Sequence, residues 1–94
     1  MRVDCSNWIG GEWSETSANT ENRCPANTDE LIGLAPDSGV EEANAAVAAA
    51  KDAAEDWRRT TAPQRGAYLY RLVRLLEQNT DRLAEALARE EGKL

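Results

Sequence analysis

The pattern of apolar and polar positions changes at about Ser38 and divides the chain into two regions. Residues 1–37 are rich in Asn, Thr, Ser, Gly and Pro, which is typical of hairpins and loops. Residues 38–94 carry an alanine- and leucine-rich pattern with helical spacing. We therefore predict an α+β fold, mainly α, in which an N-terminal β-hairpin arm and loop (1–37) precede a three-helix segment (38–94).

The clearest signal in the arm is the stretch N-W-I-G-G-E-W, Asn7 to Trp13. Gly10-Gly11 suits a two-residue hairpin turn, because both central positions can adopt positive φ. Ser14 to Arg23 has almost no apolar residues, so a weakly paired strand and a loop are equally consistent with it. Cys24 to Asp29 predicts a turn, and Leu31 to Leu34 predicts a short strand.

The first helix has a strong start signal. Ser38 and Glu41 have the spacing of a capping box, and the helix should run to about Arg59. Alternating steps of three and four place one apolar stripe along it, formed by Val40, Ala43, Val47, Ala50, Ala54 and Trp57. Because the stripe is mostly alanine, we expect this helix to lie close against its neighbour, with Trp57 as its one large anchor.

Two further helices follow. Thr61 and Gln64 predict the start of the second, and Asn79 or Thr80 can cap the third. The predicted apolar faces are Leu69, Leu72, Val73 and Leu76 in the second helix, which ends at about Gln78, and Leu83, Ala84, Leu87 and Ala88 in the third, which ends at Gly92.

The composition predicts a thin core. The 94 residues include no Phe, three Trp and two Tyr, and many of the apolar side chains are alanine. Each of these buries little area at about 25 cal/mol per Å², and a short chain buries a modest share of its unfolded surface. We expect marginal stability unless another surface contributes.

The charge of the chain narrows its possible partners. A net charge of -6 and a pI near 4.6 argue against nucleic acid and anionic membranes. The acidic, Lys-poor composition suits a high-salt cytoplasm, although a GC-rich genome also favours Arg over Lys. The N-terminus lacks the apolar core of a signal peptide and no apolar run is long enough to span a bilayer, so we expect a cytoplasmic protein with free thiols at Cys5 and Cys24.

The candidate chemistry of the chain is sparse. It contains no histidine, and neither Cys5 nor Cys24 has a predicted base or helix N-terminus beside it. Gly10-Gly11 lacks the strand-to-helix setting of a phosphate-binding turn. We therefore predict no catalytic, cofactor-binding or metal-binding residue.

Two sets of charged residues are interpreted as surface residues without a chemical role. Neighbouring carboxylates in a helix diverge by about 100°, so we expect solvated faces at Glu41-Glu42, Glu55-Asp56 and Glu90-Glu91. An anion site is conceivable at the arginines, but surface ion pairs explain them more simply; these are Arg58, Arg59, Arg65, Arg71 and Arg74.

Four stretches, in this order, resemble the N-terminal segment of the NAD(P)-dependent aldehyde dehydrogenase superfamily. They are N-W-I-G-G-E-W, C-P-A-N-T-D-E-L-I-G, the alanine-rich helix ending in Trp57-Arg58, and the final R-E-E-G-K-L. Cys24 stands where the family usually has Asn, Thr20 where a strand aromatic is common, and Leu94 where Pro is frequent. The turn Asn27 to Glu30 is one residue longer than usual, as in members acting on semialdehydes such as 2,5-dioxopentanoate.

The resemblance implies NAD(P)-dependent oxidation of an aldehyde, or a semialdehyde, to a carboxylic acid by a longer parent enzyme, with NAD or NADP as its cofactor. The family's nucleophilic cysteine, its glutamate and its nucleotide domain lie beyond Leu94. We therefore expect a truncated N-terminal portion, structural and inert alone, that packs on the remainder of such an enzyme or self-associates. Trp13 and Trp57 would then face water. The alternative is a free-standing small helical interaction protein.

Overall fold

A computed structural model describes residues 1–93 and contains two hairpins followed by three helices. The elements are β1 (Asn7–Ile9), β2 (Glu12–Ser14), β3 (Asn19–Cys24), β4 (Asn27–Pro36), α1 (Val40–Arg59), α2 (Ala62–Gln78) and α3 (Thr80–Glu91). The predicted α+β, mainly α fold is confirmed. Leu94, the last residue of the predicted three-helix region 38–94, lies outside the described residues.

The first hairpin forms at the predicted double glycine. Gly10 and Gly11 adopt φ angles of 62° and 81°, a region that disfavours residues with a Cβ. This turn aligns Trp8 opposite Trp13 in an antiparallel pair. The hairpin prediction is confirmed.

The second hairpin is longer than the sequence indicated. β3 pairs antiparallel with β4 in a ladder that shifts register after Asn22 and again after Arg23. The segment from Ser14 to Arg23, for which the sequence allowed a strand or a loop, therefore forms a strand from Asn19 onward. β4 begins at Asn27, earlier than the predicted start at Leu31. The side chains of β3 are mostly polar and gave no strand signal in the sequence. β3 pairs with β4 through its backbone, and β4 supplies most of the apolar residues of the hairpin.

A segment before the first strand lies along the free edge of β4. The Val3 amide donates to the Ile32 carbonyl and the Cys5 amide to the Leu34 carbonyl, each at 2.8 Å. A Cβ added to Gly33 would lie 1.7 Å from the Val3 carbonyl oxygen, so only glycine permits this approach. β4 consequently has backbone partners on both sides.

The small core lies entirely in the arm. Ile32 is 1% exposed and Cys24 is 6% exposed, and Gly33 between the strands is also buried. None of the three helices contains a buried residue. The thin core predicted from composition is confined to the second hairpin.

The start of α1 differs from the prediction by one residue. The N-cap is Gly39, whose amide donates to Glu42 Oε2 at 2.8 Å. Ser38 does not cap the helix; its hydroxyl oxygen accepts a hydrogen bond from Asn7 Nδ2 at 2.8 Å. The predicted Ser38–Glu41 box is wrong, because Ser38 links the helix start to β1.

The other helix boundaries follow the predicted signals. Thr61 and Gln64 form a reciprocal capping box, with bonds of 3.0 Å to Gln64 Oε1 and 3.4 Å to Thr61 Oγ1. Asn79 precedes α3 without a side-chain capping bond, and Gly92 ends it at φ 68°. These local signals act through neighbouring residues only, which is why sequence suffices to find them.

The helices attach to the arm at two points and form no bundle. Half-buried Ala49 of α1 faces Gly10 of the first hairpin, where an added Cβ would lie 3.8 Å from the Ala49 Cβ. At the other end, Arg89 Nε donates to Glu30 Oε1 at 2.7 Å, which ties α3 to β4. The neighbour predicted for α1 is thus a hairpin. The radius of gyration is 16.8 Å, against about 12 Å for a compact domain of this length.

Candidate functional site: the exposed helical face

The most conspicuous surface of the chain is apolar and faces outward from α2 and α3. We call it the helical face. Its members are all between 44% and 63% exposed: Leu69, Leu72, Val73, Leu76, Leu83 and Leu87. These are the leucines and the valine of the apolar faces that helical spacing predicted for the second and third helices. Isolated exposed leucines are ordinary, whereas six large apolar side chains exposed on two successive helices make a candidate interaction surface.

The predicted stripe of α1 is exposed too. Val40 is 76% exposed, Val47 is 68% and Trp57 is 49%. In the first hairpin, Trp8 and Trp13 stack edge to face with ring centroids 4.7 Å apart, yet Trp13 remains 71% exposed. The expectation that Trp13 and Trp57 face water is met.

The amount of exposed surface indicates how large a partner the chain can accommodate. Its accessible surface is 7693 Å², whereas a compact protein of 10.3 kDa exposes about 5,400 Å². The difference of about 2,300 Å² exceeds the roughly 800 Å² that one partner contributes to an interface of standard size. An excess of this size is comparable with the area that an obligate or intramolecular interface buries.

The two cysteines lie far from any catalytic setting. Cys24 is buried in the second hairpin, and Cys5 is exposed on the segment beside β4. Cys5 shares a shallow pocket with Asp4 and Glu15. Both thiols are free, as predicted. No group of three or more His, Cys, Asp or Glu in residues 1–93 could hold a metal ion.

The adjacent carboxylates serve local structure. Glu42 caps α1, and Glu55 pairs with Arg58 and Arg59 within the same helix. At the C-terminal end, Glu90 accepts a hydrogen bond from Asn22 at 2.7 Å, and the carboxylate of Glu91 lies 2.8 Å from the Lys93 ammonium. These contacts give Glu42, Glu55, Glu90 and Glu91 local structural roles.

Four of the five candidate arginines divide into two groups. Arg58 and Arg59 form the predicted surface ion pairs. Arg65 and Arg71 instead lie over aromatic rings, with guanidinium carbons 4.8 Å from the Trp57 centroid and 4.6 Å from the Tyr68 centroid. The contact of Arg65 with Trp57 depends on the angle between α1 and α2, which residue spacing does not fix. The contact of Arg71 with Tyr68 lies within α2, where residues three apart are neighbours, and the helical spacing could have indicated it.

The double glycine does not form a dinucleotide-binding turn. Gly10-Gly11 connects two short antiparallel strands, and β2 leads into an extended segment instead of a helix. A pyrophosphate site of the common type requires a glycine turn that opens a helix. Separately, no helix in the described part of the chain is long and apolar enough to cross a membrane.

Comparison with known proteins gives a consistent match. The sequence model described as "Aldehyde dehydrogenase family" matches residues 13–94. The chain is 44% identical over 95 aligned positions to the α-ketoglutarate semialdehyde dehydrogenase of Haloferax volcanii, covering 99% of this chain and 20% of the relative.

Two bacterial relatives show the same coverage. Malonate-semialdehyde dehydrogenase 3 of Geobacillus kaustophilus is 39% identical, covering 94% of this chain and 18% of the relative. The α-ketoglutaric semialdehyde dehydrogenase of Bacillus subtilis is 35% identical, covering 93% of this chain and 18% of the relative. The chain therefore spans about a fifth of the length of the curated relatives it matches.

Proposed function

The chain belongs to the aldehyde dehydrogenase family, and from this premise we propose that it supplies a structural N-terminal portion to an NAD(P)-dependent aldehyde dehydrogenase. In this role the helical face packs on the nucleotide-binding domain of the parent enzyme, and the arm helps to place that domain. The chain alone is catalytically inert, and its compartment is the cytoplasm.

The observation that carries the proposal is the exposed helical face. A stripe of six large apolar side chains, each at least 44% exposed, has no partner within the described residues. Burying such a stripe stabilises a protein by about 25 cal/mol per Å². The part of the relatives that this chain does not match, about four-fifths of their length, offers ample surface for that burial.

We further propose a semialdehyde as the substrate of the parent enzyme. The names of the three relatives support this, since two act on α-ketoglutarate semialdehyde and one on malonate semialdehyde. The sequence from Asn27 to Glu30, which lies at the start of β4, resembles members that use 2,5-dioxopentanoate, which is the same compound as α-ketoglutarate semialdehyde.

A chimaera tests the structural role. The matched N-terminal fifth of the Haloferax volcanii enzyme is replaced by this chain, and the same enzyme lacking that fifth serves as the control. We expect the chimaera to reduce NAD or NADP with α-ketoglutarate semialdehyde and the truncated control to be inactive. The isolated 94-residue chain should give no reduced cofactor, and turnover by it would contradict the proposal.

A matched pair of substitutions tests whether the helical face is the contact. In the chimaera, Leu76→Asp should abolish soluble, active enzyme, because it places a carboxylate in an apolar interface. Glu77→Asp, at the next position, should retain activity. Equal activity of both variants would show that the face stays exposed in the assembled enzyme.

The same face would also serve a free-standing small helical interaction protein, which is the second candidate. Sedimentation of the isolated chain over a range of concentrations separates the two. A discrete, saturating dimer that Leu76→Asp dissociates favours the second candidate, whereas open-ended association favours a fragment that lacks its partner.

A further inference from the structure

The corner between α1 and α2 is held by one side chain that crosses it. The helices are joined by only Thr60 and Thr61. From the first turn of α2, Arg65 Nη2 donates to the Trp57 carbonyl at 2.7 Å and Nε donates to the Thr60 carbonyl at 3.1 Å. A single guanidinium thus spans two carbonyl oxygens at the end of α1.

Those carbonyls are the groups that a helix leaves without intrahelical donors. The Trp57 carbonyl also accepts a bond from the Thr60 amide at 3.1 Å, which closes the last turn of α1. The C-terminal end of a helix carries partial negative charge. The positive charge of Arg65 is therefore stabilised there, in addition to its hydrogen bonds.

A stack of alternating side chains reinforces the corner. The Arg65 guanidinium lies 4.8 Å from the Trp57 ring centroid, and the Trp57 and Tyr68 rings are 6.0 Å apart and tilted by 51°. Arg71 follows, 4.6 Å from the Tyr68 centroid. The distances are those of cation–π and aromatic pairs. Trp57 belongs to α1 and the other three belong to α2, so the stack joins the two helices.

We propose that Arg65 is a positioning residue that sets the angle between α1 and α2, so that the α2 part of the helical face is held in a fixed orientation relative to α1. The fork of donors is the property required: an ammonium cannot hold two carbonyl oxygens in this fixed geometry. Arg65 forms no ion pair among the described residues, which leaves its guanidinium committed to this corner. The inference does not depend on the reaction of any parent enzyme.

Residual dipolar couplings of backbone amides in the full 94-residue chain test the proposal. In the wild-type protein, couplings from α1 and α2 should fit one alignment tensor. In Arg65→Gln the fit to one tensor should be lost, while far-UV circular dichroism retains the helical signal. The matched control is Arg71→Gln, which removes a guanidinium stacked on Tyr68 but no bond to α1, and it should keep the common tensor.

Arg65→Lys distinguishes the fork from its charge. We expect this variant to behave like Arg65→Gln, because it keeps the charge but not the paired donors. Wild-type couplings in Arg65→Lys would overturn the proposal, as would a single tensor in Arg65→Gln. Separate tensors for α1 and α2 in the wild-type chain would overturn it too, since the corner would then not be rigid.

Discussion

The arm and the helical segment are stabilised by different kinds of contact. In the arm, contacts distant in sequence cover both edges of β4 and bury Ile32 and Cys24. In the helical segment, caps and short-range bonds define each helix, but no helical residue is buried. The arm carries its own tertiary structure, whereas the helices carry secondary structure prepared for contacts elsewhere.

This difference indicates where the free energy of folding is concentrated. A helix whose apolar face stays in water gains little beyond its intrinsic propensity and its caps. Mutations that act on packing should therefore affect the arm strongly and the helices weakly.

The largest expected effect is that of Ile32→Ala. Ile32 is 1% exposed, and loss of a buried side chain of this size costs about 2–5 kcal/mol. Hydrogen exchange should show lost protection of β3 and β4 amides, while circular dichroism retains the helical signal. In contrast, Leu69→Ala at a 63% exposed position should change stability by no more than about 0.5 kcal/mol. Equal effects of the two variants would remove the distinction between the regions.

Gly33→Ala should be almost as damaging. Its Cβ would lie 1.7 Å from the Val3 carbonyl oxygen, so the N-terminal segment must leave the edge of β4. We expect a loss of about 2–3 kcal/mol in the arm. Exchange of the Val3 and Cys5 amides should become fast. Persistent protection of these two amides would mean that the edge accommodates a side chain.

Gly66→Ala is the corresponding glycine substitution in the helical segment, and we expect it to increase stability. Gly66 lies inside α2 and an added Cβ meets no atom within 4 Å. Alanine should stabilise the helix by roughly 0.8–1 kcal/mol, seen as a higher helical signal and melting temperature. A decrease in either would show that this side of α2 is not open.

The smallest expected effect is that of acid. The Arg2 side chain, followed by the Leu34 amide, lowers the pKa of Asp4 from 3.8, and the Gly39 amide lowers the pKa of Glu42 from 4.5. Because the folded pKa is the lower one, each carboxylate contributes stability above its ordinary pKa, and this is lost as pH falls through the folded value.

Carbon-detected titration of the two carboxyl groups measures these shifts directly. Asp4→Asn should remove the acid sensitivity of the arm, and Glu42→Gln that of α1. Titration of either carboxylate at its ordinary pKa would contradict the assignment of its hydrogen bonds.

Sequence predicted the features that depend on neighbouring residues. The turn at Gly10-Gly11, the capping box of Thr61 and Gln64 and the αL end at Gly92 require only local conformational preferences. Helical spacing also predicted one apolar face for each helix. It did not show that these faces remain exposed, because periodicity reveals which side is apolar and not what covers it.

Most features that sequence missed depend on contacts between separate elements. The N-cap moved to Gly39 because Ser38 bonds with Asn7, which is 31 positions away. The sequence around Val3 has no apolar periodicity, so it does not predict that this segment passes beside Gly33. The stacking of Arg65 on Trp57 depends on the corner angle, which the spacing of residues along one helix cannot specify.

The double coverage of β4 also affects how the protein would aggregate. With both sides of β4 occupied, the second hairpin offers intermolecular strand addition only at the outer edge of β3, where Glu21 and Arg23 form an ion pair at 2.8 Å. A polar, charged edge is a poor template for amyloid growth. Misassembly of this protein should therefore proceed by coalescence of helices into amorphous deposits, which thioflavin dyes would stain weakly.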